Sequence, residues 1–273
     1  MSSKSNLIKH FLFKFQHAKV FLLGSSQAFY YLLSLFPILV IGLAIIPYLN
    51  IDPDQAIGFL KKTLPGDMAG VFQKEILNLI NNPRGSLLIL GIIGALWSTS
   101  NAIHALITSI NQAYDIEETR SIIFVRAIAL MFAAGMIITI IITMVFPVFG
   151  NIMLEYLKNI FDIDTTLSGL LQVLRWLFAW LFIIVFLSLL YRFAPNLNLP
   201  FSYILPGTIT VSVLWQIITF GLYIYVNNFG AFSAIYGSVG VFMIIMIWFF
   251  LTGIILMVGA IINVMYDDYK QTS

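Results

Sequence analysis

Six long apolar runs, at 28–49, 87–110, 122–149, 170–190, 203–225 and 239–265, limit what this chain can fold into. Each is long enough to cross the roughly 30 Å hydrocarbon layer of a bilayer as a helix. Arg126 and Arg175 are the only Asp, Glu, Lys or Arg residues inside them, and both lie near a run end, where a long side chain reaches the interface. Lipid offers no hydrogen-bond partner to a backbone amide, so runs of this kind are stable only as helices that satisfy themselves. The expected fold is all-α, a polytopic membrane protein of six transmembrane helices with short amphipathic helices at the interfaces. Composition agrees, with 10% charged residues and a mean hydropathy of +0.97. No linker and no internal repeat divides residues 1–273, so one membrane domain is expected.

The segments between the runs set the orientation. Residues 1–27 carry Lys4, Lys9, Lys14 and Lys19 and no acid. Leu7, Phe11, Phe15, Ala18 and Leu22 share one helical face, which predicts either a basic amphipathic helix on an anionic membrane surface or a positively flanked start to the first span. With the N-terminus inside, eight Lys and Arg residues fall on the inner side and six on the outer. The four N-terminal lysines decide the assignment, so both termini are expected in the cytoplasm. The first run is longer than a signal-peptide core and has no small-x-small site after it, so no cleaved leader is expected. The outer segment 50–86 has Met68, Phe72, Ile76 and Leu79 on one helical face after Pro65-Gly66, which predicts one or two short surface or capping helices. The last outer segment, 226–238, is uncharged and ends in Tyr236-Gly237-Ser238, read as a turn or gate.

The stretch 87–120 starts as a lipid-suited helix and ends in a charged turn. Ser98, Thr99 and Ser100 precede a stripe of Asn101, His104, Thr108 and Asn111, spaced i, i+3, i+7 and i+10 along one helical face. Such a stripe either lines a hydrophilic path for a head group or small solute, or holds helices together by hydrogen bonds. His104 is either a titratable group on that path or a plain interfacial histidine. Pro37, with Ser34 nearby, predicts a kink in the first span, as a gate or as packing. Ser212 and Gln216 on the fifth span and Asn263 on the sixth extend the candidate substrate path. Arg175 and Arg192, at opposite ends of the fourth span, are placed to meet an anionic head group on either leaflet. The turn after the second span holds Asn111, Tyr114, Asp115, Glu118 and Arg120. It predicts an elbow built on a carboxylate–arginine pair, with Thr119 or Ser121 capping the third span.

Several chemistries find no residues here. There is no cysteine, and the three histidines are not accompanied by convergent carboxylates, so no metal site, cofactor or enzymatic centre is expected. No glycine-rich phosphate loop precedes a charged helix. A net charge of +2 gives no reason to expect nucleic acid as a partner. No carboxylate lies in a span to mark a proton relay, although ion coupling through backbone and hydroxyl oxygens stays open.

The chain resembles the YihY/BrkB family of bacterial inner-membrane proteins from about residue 24 to 263. The resemblance rests on AFYYLLSLFP at 28–37, LWSTSNAIHALITSINQAYDIEETR at 96–120 and YRFAPN at 191–196. LPGTI at 205–209, IYGSVG at 235–240, the Trp248 region and VGAIIN at 258–263 continue it in order. The resemblance implies six helices, cytoplasmic termini and a bacterial cytoplasmic membrane. It also brings an old ribonuclease label, against which the lack of a metal cluster speaks, and proposed links to envelope integrity, serum resistance and lipid export. Relatives often carry an arginine at the position of Asn101 and a glutamate at that of Ile261, so a buried charge pair there does not carry over.

Together these features lead to a transporter of a lipid or other amphipathic envelope molecule, with membrane lipids as partners. An ion-coupled exporter of small solutes and a non-transporting scaffold for envelope-assembly proteins are the alternatives, and a homo-oligomer is compatible with each.

Overall fold

A computed structural model describes residues 2–45, 85–136, 138–139, 165–197, 199–228 and 231–272. These residues form helices α1 (Ser2–His17), α2 (Val20–Ile45), α3 (Gly85–Tyr114), α4 (Ile122–Met136), α5 (Thr165–Phe193), α6 (Phe201–Asn228) and α7 (Ala231–Thr272). Four stretches, Val20–Ile41, Gly85–Tyr114, Phe201–Val226 and Phe242–Lys270, are long and apolar enough to cross a membrane. Ile122–Met136 and Trp180–Phe193 are shorter apolar segments, so the six predicted spans reduce to four of full length among the described residues. The far half of the 122–149 run and residues 50–84 of the outer segment, with its predicted surface helices, lie outside the described residues.

Two sequence expectations change. The first span starts at Val20 rather than at residue 28, because α1 ends where Lys19 takes a left-handed backbone conformation (φ 50°). That bend separates Leu22 from the α1 face to which its spacing had assigned it. The predicted turn at Tyr236-Gly237-Ser238 is not one either. α6 runs to Asn228 and α7 starts at Ala231, so Tyr236, Gly237 and Ser238 lie within a helix. The apolar residues around them make continuing helical hydrogen bonds cheaper than exposing the backbone to lipid.

α7 organises the bundle, packing against α2, α6, α3 and α1. At 42 residues it is about 63 Å long, more than the 40–45 Å of a whole bilayer. α1 docks at the C-terminal end of α7, where Lys14 Nζ lies 3.0 Å from an Asp268 carboxylate oxygen and His10 lies 3.4 Å from the same oxygen. His17 reaches Asp115 after α3 at 3.5 Å. Both described chain ends and the α3–α4 elbow therefore share one end of the bundle. Phe11 and Phe15 of α1 and Ala18 just after it pack inward, whereas Leu7, expected on the same face, is exposed together with Ile8, Leu12 and Phe13.

Small residues set the helix crossings. Gly253 of α7 meets Gly24 of α2 so closely that a Cβ would stand 3.1 Å from the Gly24 Cα. At the α6–α7 crossing a Cβ on Gly207 would collide with the Gly259 carbonyl and the Asn263 side chain. Without a water-driven hydrophobic effect between helices, such close backbone approach is a main source of association energy in lipid. α2 remains helical through Pro37, which rests against Gly94 of α3.

Candidate functional site

The polar residues of the spans divide into groups turned inward and a group turned outward. Ser98, Thr99, Ser100, Ser109 and Asn111 of α3 are buried with Ala102, Ile103, Leu106 and Ile110. His104 and Thr108 are exposed and Asn101 is half-buried, so the predicted stripe splits at its last member, Asn111. Ten residues of helix drift enough for one end of a stripe to meet a neighbour while the other faces out.

Most buried hydroxyls are spent locally. Ser98 donates to the Gly94 carbonyl at 2.8 Å, Ser109 to Ala105 at 2.8 Å, Thr208 to Ile204 at 2.9 Å and Ser212 to Thr208 at 2.9 Å. Ser34 donates to the Tyr31 carbonyl at 2.7 Å and not to Leu33, the carbonyl freed by Pro37. A hydroxyl in an apolar helix finds the carbonyl three or four residues back without help from any other helix. These groups form neither a continuous hydrophilic path nor interhelical bonds. Gln216 is exposed. Arg175 falls in α5.

Asn263 acts across helices. Wholly buried, it accepts the backbone N–H of Gly207 at 2.7 Å, immediately after Pro206 disturbs the first turns of α6. The residue read as part of a substrate path thus repairs a proline-disturbed backbone at the tightest crossing. Tyr191, also wholly buried and not singled out by the sequence, donates to the Leu256 carbonyl at 2.6 Å beside Gly259. Gln27 is a second buried residue the sequence did not flag; it accepts the Tyr31 hydroxyl at 3.2 Å while its amide nitrogen has no partner. Its neighbours Ser25 and Ser26 are exposed, so sequence alone gives no means of choosing Gln27 among them.

The elbow is densely bonded. α3 ends with Asp115 in a left-handed conformation (φ 56°), where Ile116 N–H bonds the Asn111 carbonyl at 3.0 Å and Asp115 N–H bonds Gln112 at 3.2 Å. This is a Schellman closure with aspartate where glycine is usual. Glu118 accepts Arg120 Nε at 2.7 Å, Arg120 Nη2 at 2.6 Å and the Asn111 amide at 2.9 Å. The paired Arg120 guanidinium holds the Glu118 carboxyl below its ordinary pKa. Arg120 also donates to the carbonyls of Ala194 at 2.8 Å and Phe193 at 3.3 Å, satisfying the C-terminal end of α5 with a cation. Asn196 completes the joint, with its N–H on Asn111 Oδ1 at 2.9 Å and its amide on Thr119 Oγ1 at 2.8 Å. Ser121 caps α4 by accepting the Phe124 N–H at 3.3 Å. The buried Tyr114 hydroxyl makes no hydrogen bond within 3.5 Å among the described residues.

Arg126 and Arg192 are arginines with no carboxylate within ion-pair distance among the described residues. Arg192 lies 5.9 Å from the ring centres of both Phe193 and Phe201, and its buried Nη1 has no hydrogen-bond partner among the described residues. Arg126 donates to Asn101 Oδ1 at 2.7 Å and lies 5.5 Å from the Trp97 ring. No three His, Asp or Glu side chains converge as metal ligands among the described residues.

A bundle of long apolar helices, with polar groups sealed at its joints and a polar face turned outward, defines a polytopic helical membrane protein. The chain belongs to the family described as Virulence factor BrkB, which matches residues 11–273. It is 34% identical over 248 residues to YfkH of Bacillus subtilis (strain 168), provisionally named a ribonuclease-like protein, covering 91% of this chain and 90% of the relative. The UPF0761 membrane protein Cpha266_1653 of Chlorobium phaeobacteroides (strain DSM 266 / SMG 266 / 2430) is 24% identical, covering 90% of this chain and 54% of its own length. The UPF0761 membrane protein YihY of Salmonella newport (strain SL254) is 27% identical over 110 residues, 40% of this chain and 37% of the relative. No solved structure matches the chain.

Proposed function

We propose that this protein translocates a lipid or another amphipathic envelope molecule across the bacterial cytoplasmic membrane, with both termini in the cytoplasm. One observation carries the reading. The polar face of α3, with Asn101 half-buried and His104 and Thr108 exposed, opens sideways beside the exposed apolar residues Ile93 and Trp97. A head group on such a face keeps hydrogen-bonding partners while its acyl chains stay in the bilayer, which lowers the cost of moving a polar group through hydrocarbon. Arg192, stacked on aromatic rings without a carboxylate, supplies a positive charge suited to an anionic head group. The work is transport rather than catalysis, and the ribonuclease wording of the Bacillus relative is not carried over.

The test is movement of fluorescent phospholipid in proteoliposomes, with wild type compared to Asn101→Leu and Arg192→Ala. Transport by wild type, lost in both variants while they stay folded, is the expected result. Wild-type rates equal to those of empty liposomes under every imposed gradient overturn the proposal.

A further inference from the structure

Arg126 is the fifth residue of α4, and the three before Val125 on its own helix, Ile122, Ile123 and Phe124, are 85%, 83% and 54% exposed. In a membrane-spanning bundle, side chains this apolar and this exposed face acyl chains. The guanidinium that follows them is half-buried and stands beside Trp97, itself 65% exposed, on α3. Among the described residues its protein partners are all neutral: Asn101 Oδ1 at 2.7 Å, Ser100 Oγ at 3.5 Å and the Trp97 ring. Of the described carboxylates, Glu118 pairs with Arg120, Asp115 with His17 and Asp268 with Lys14, and none of these or of the others lies within ion-pair distance of Arg126. A guanidinium has five donors and cannot lose its proton, so one held at an apolar surface by an amide and a ring still requires an anion.

We propose that Arg126, positioned by Asn101 and Trp97, binds the phosphate of an anionic phospholipid in the leaflet on the side of the chain termini. Charge complementarity selects a phosphate without a compensating amine. The apolar rim of Ile122, Ile123, Phe124 and Trp97 selects a lipid over free phosphate, because it gives the acyl chains a surface. His104 and Thr108, exposed further along the same face of α3, offer neutral polar partners to the rest of the head group. Arg120, six positions earlier, does not compete, since its donors are taken by Glu118 and the end of α5. The inference rests on the translocation reading for its purpose alone, because binding is measured without transport.

The test is native mass spectrometry of the full-length protein released from detergent, titrated with phosphatidylglycerol, phosphatidylcholine or diacylglycerol. The expected result is a preference for phosphatidylglycerol that Arg126→Gln weakens about tenfold, the loss of one charge-assisted hydrogen bond. Arg126→Lys retains part of the preference. If Arg126→Gln does not fold, wild type and Arg126→Lys decide, since a lysine equal to arginine removes the role assigned to the guanidinium. Equal binding of all three lipids by wild type overturns the proposal, as does an unchanged preference in folded Arg126→Gln. Competition by millimolar inorganic phosphate also overturns it, marking a free-anion site. Binding without translocation defeats the transport reading and leaves this one standing, whereas translocation without the preference does the reverse.

Discussion

Arg120 and Arg126 are six residues apart at the same end of the bundle, yet their surroundings are opposite. Arg120 gives its donors to a carboxylate and to the last carbonyls of α5, so it closes a joint between two helix ends. Among the described residues, Arg126 meets only an asparagine, a serine at the limit of hydrogen-bond distance and a tryptophan ring, on an exposed face. A cation whose charge is answered within the protein maintains architecture. One whose charge is left unanswered is available to a ligand. The same division runs through the rest of the molecule, with the α6–α7 crossing closed and the outward face of α3 and α4 open.

The comparison breaks most visibly at the closed regions. At the α6–α7 crossing, Gly207→Leu forces a side chain into the Gly259 backbone and the Asn263 amide. A loss of more than about 3 kcal/mol is expected, seen as failure to recover monodisperse protein in detergent, as for overpacked or strained sites generally. Recovery at the wild-type level shows that the crossing is looser than the structure has it.

At the elbow, Arg120→Ala leaves Glu118 and the Ala194 carbonyl without their charged partner. A destabilisation of about 2 kcal/mol is expected in thermal unfolding, since both partners are partly exposed. Arg126→Gln is expected to change stability by less than about 1 kcal/mol, because no carboxylate loses a partner. Equal losses in the two variants remove the distinction on which the comparison stands.

The smallest effect is the pH dependence of the Glu118–Arg120 pair. The folded Glu118 carboxyl is held below its ordinary pKa, so its contribution is complete above the usual carboxylate range and is lost as pH falls through the lowered value. The stability advantage of wild type over Glu118→Gln should therefore be constant near neutral pH and shrink only on acidification below about pH 4. A constant difference across that window shows that the pair does not respond to titration of the carboxyl.

Reading the sequence reached the helical class and the membrane setting because charge is absent over lengths that match a bilayer, a property no tertiary contact can alter. The elbow residues were visible as well, since Glu118 and Arg120 lie close enough in the chain to meet through local geometry. The division of the polar residues was not visible. Period 3.6 places Asn101 and Asn111 on one nominal face, but which side of a helix is covered depends on where α2 and α7 pack, and that follows from glycines far away in sequence. Asn263 illustrates the point: nothing near it signals that its partner is the amide after Pro206, 56 residues earlier.

The amino-acid sequence by itself determined that the chain must cross a membrane as helices, because backbone polar groups in lipid can be satisfied only within each segment. Tertiary structure decided which polar side chains are spent on holding those helices and which are left facing out. That decision depends on the crossings between helices, and close packing fixes those only when all the helices are together.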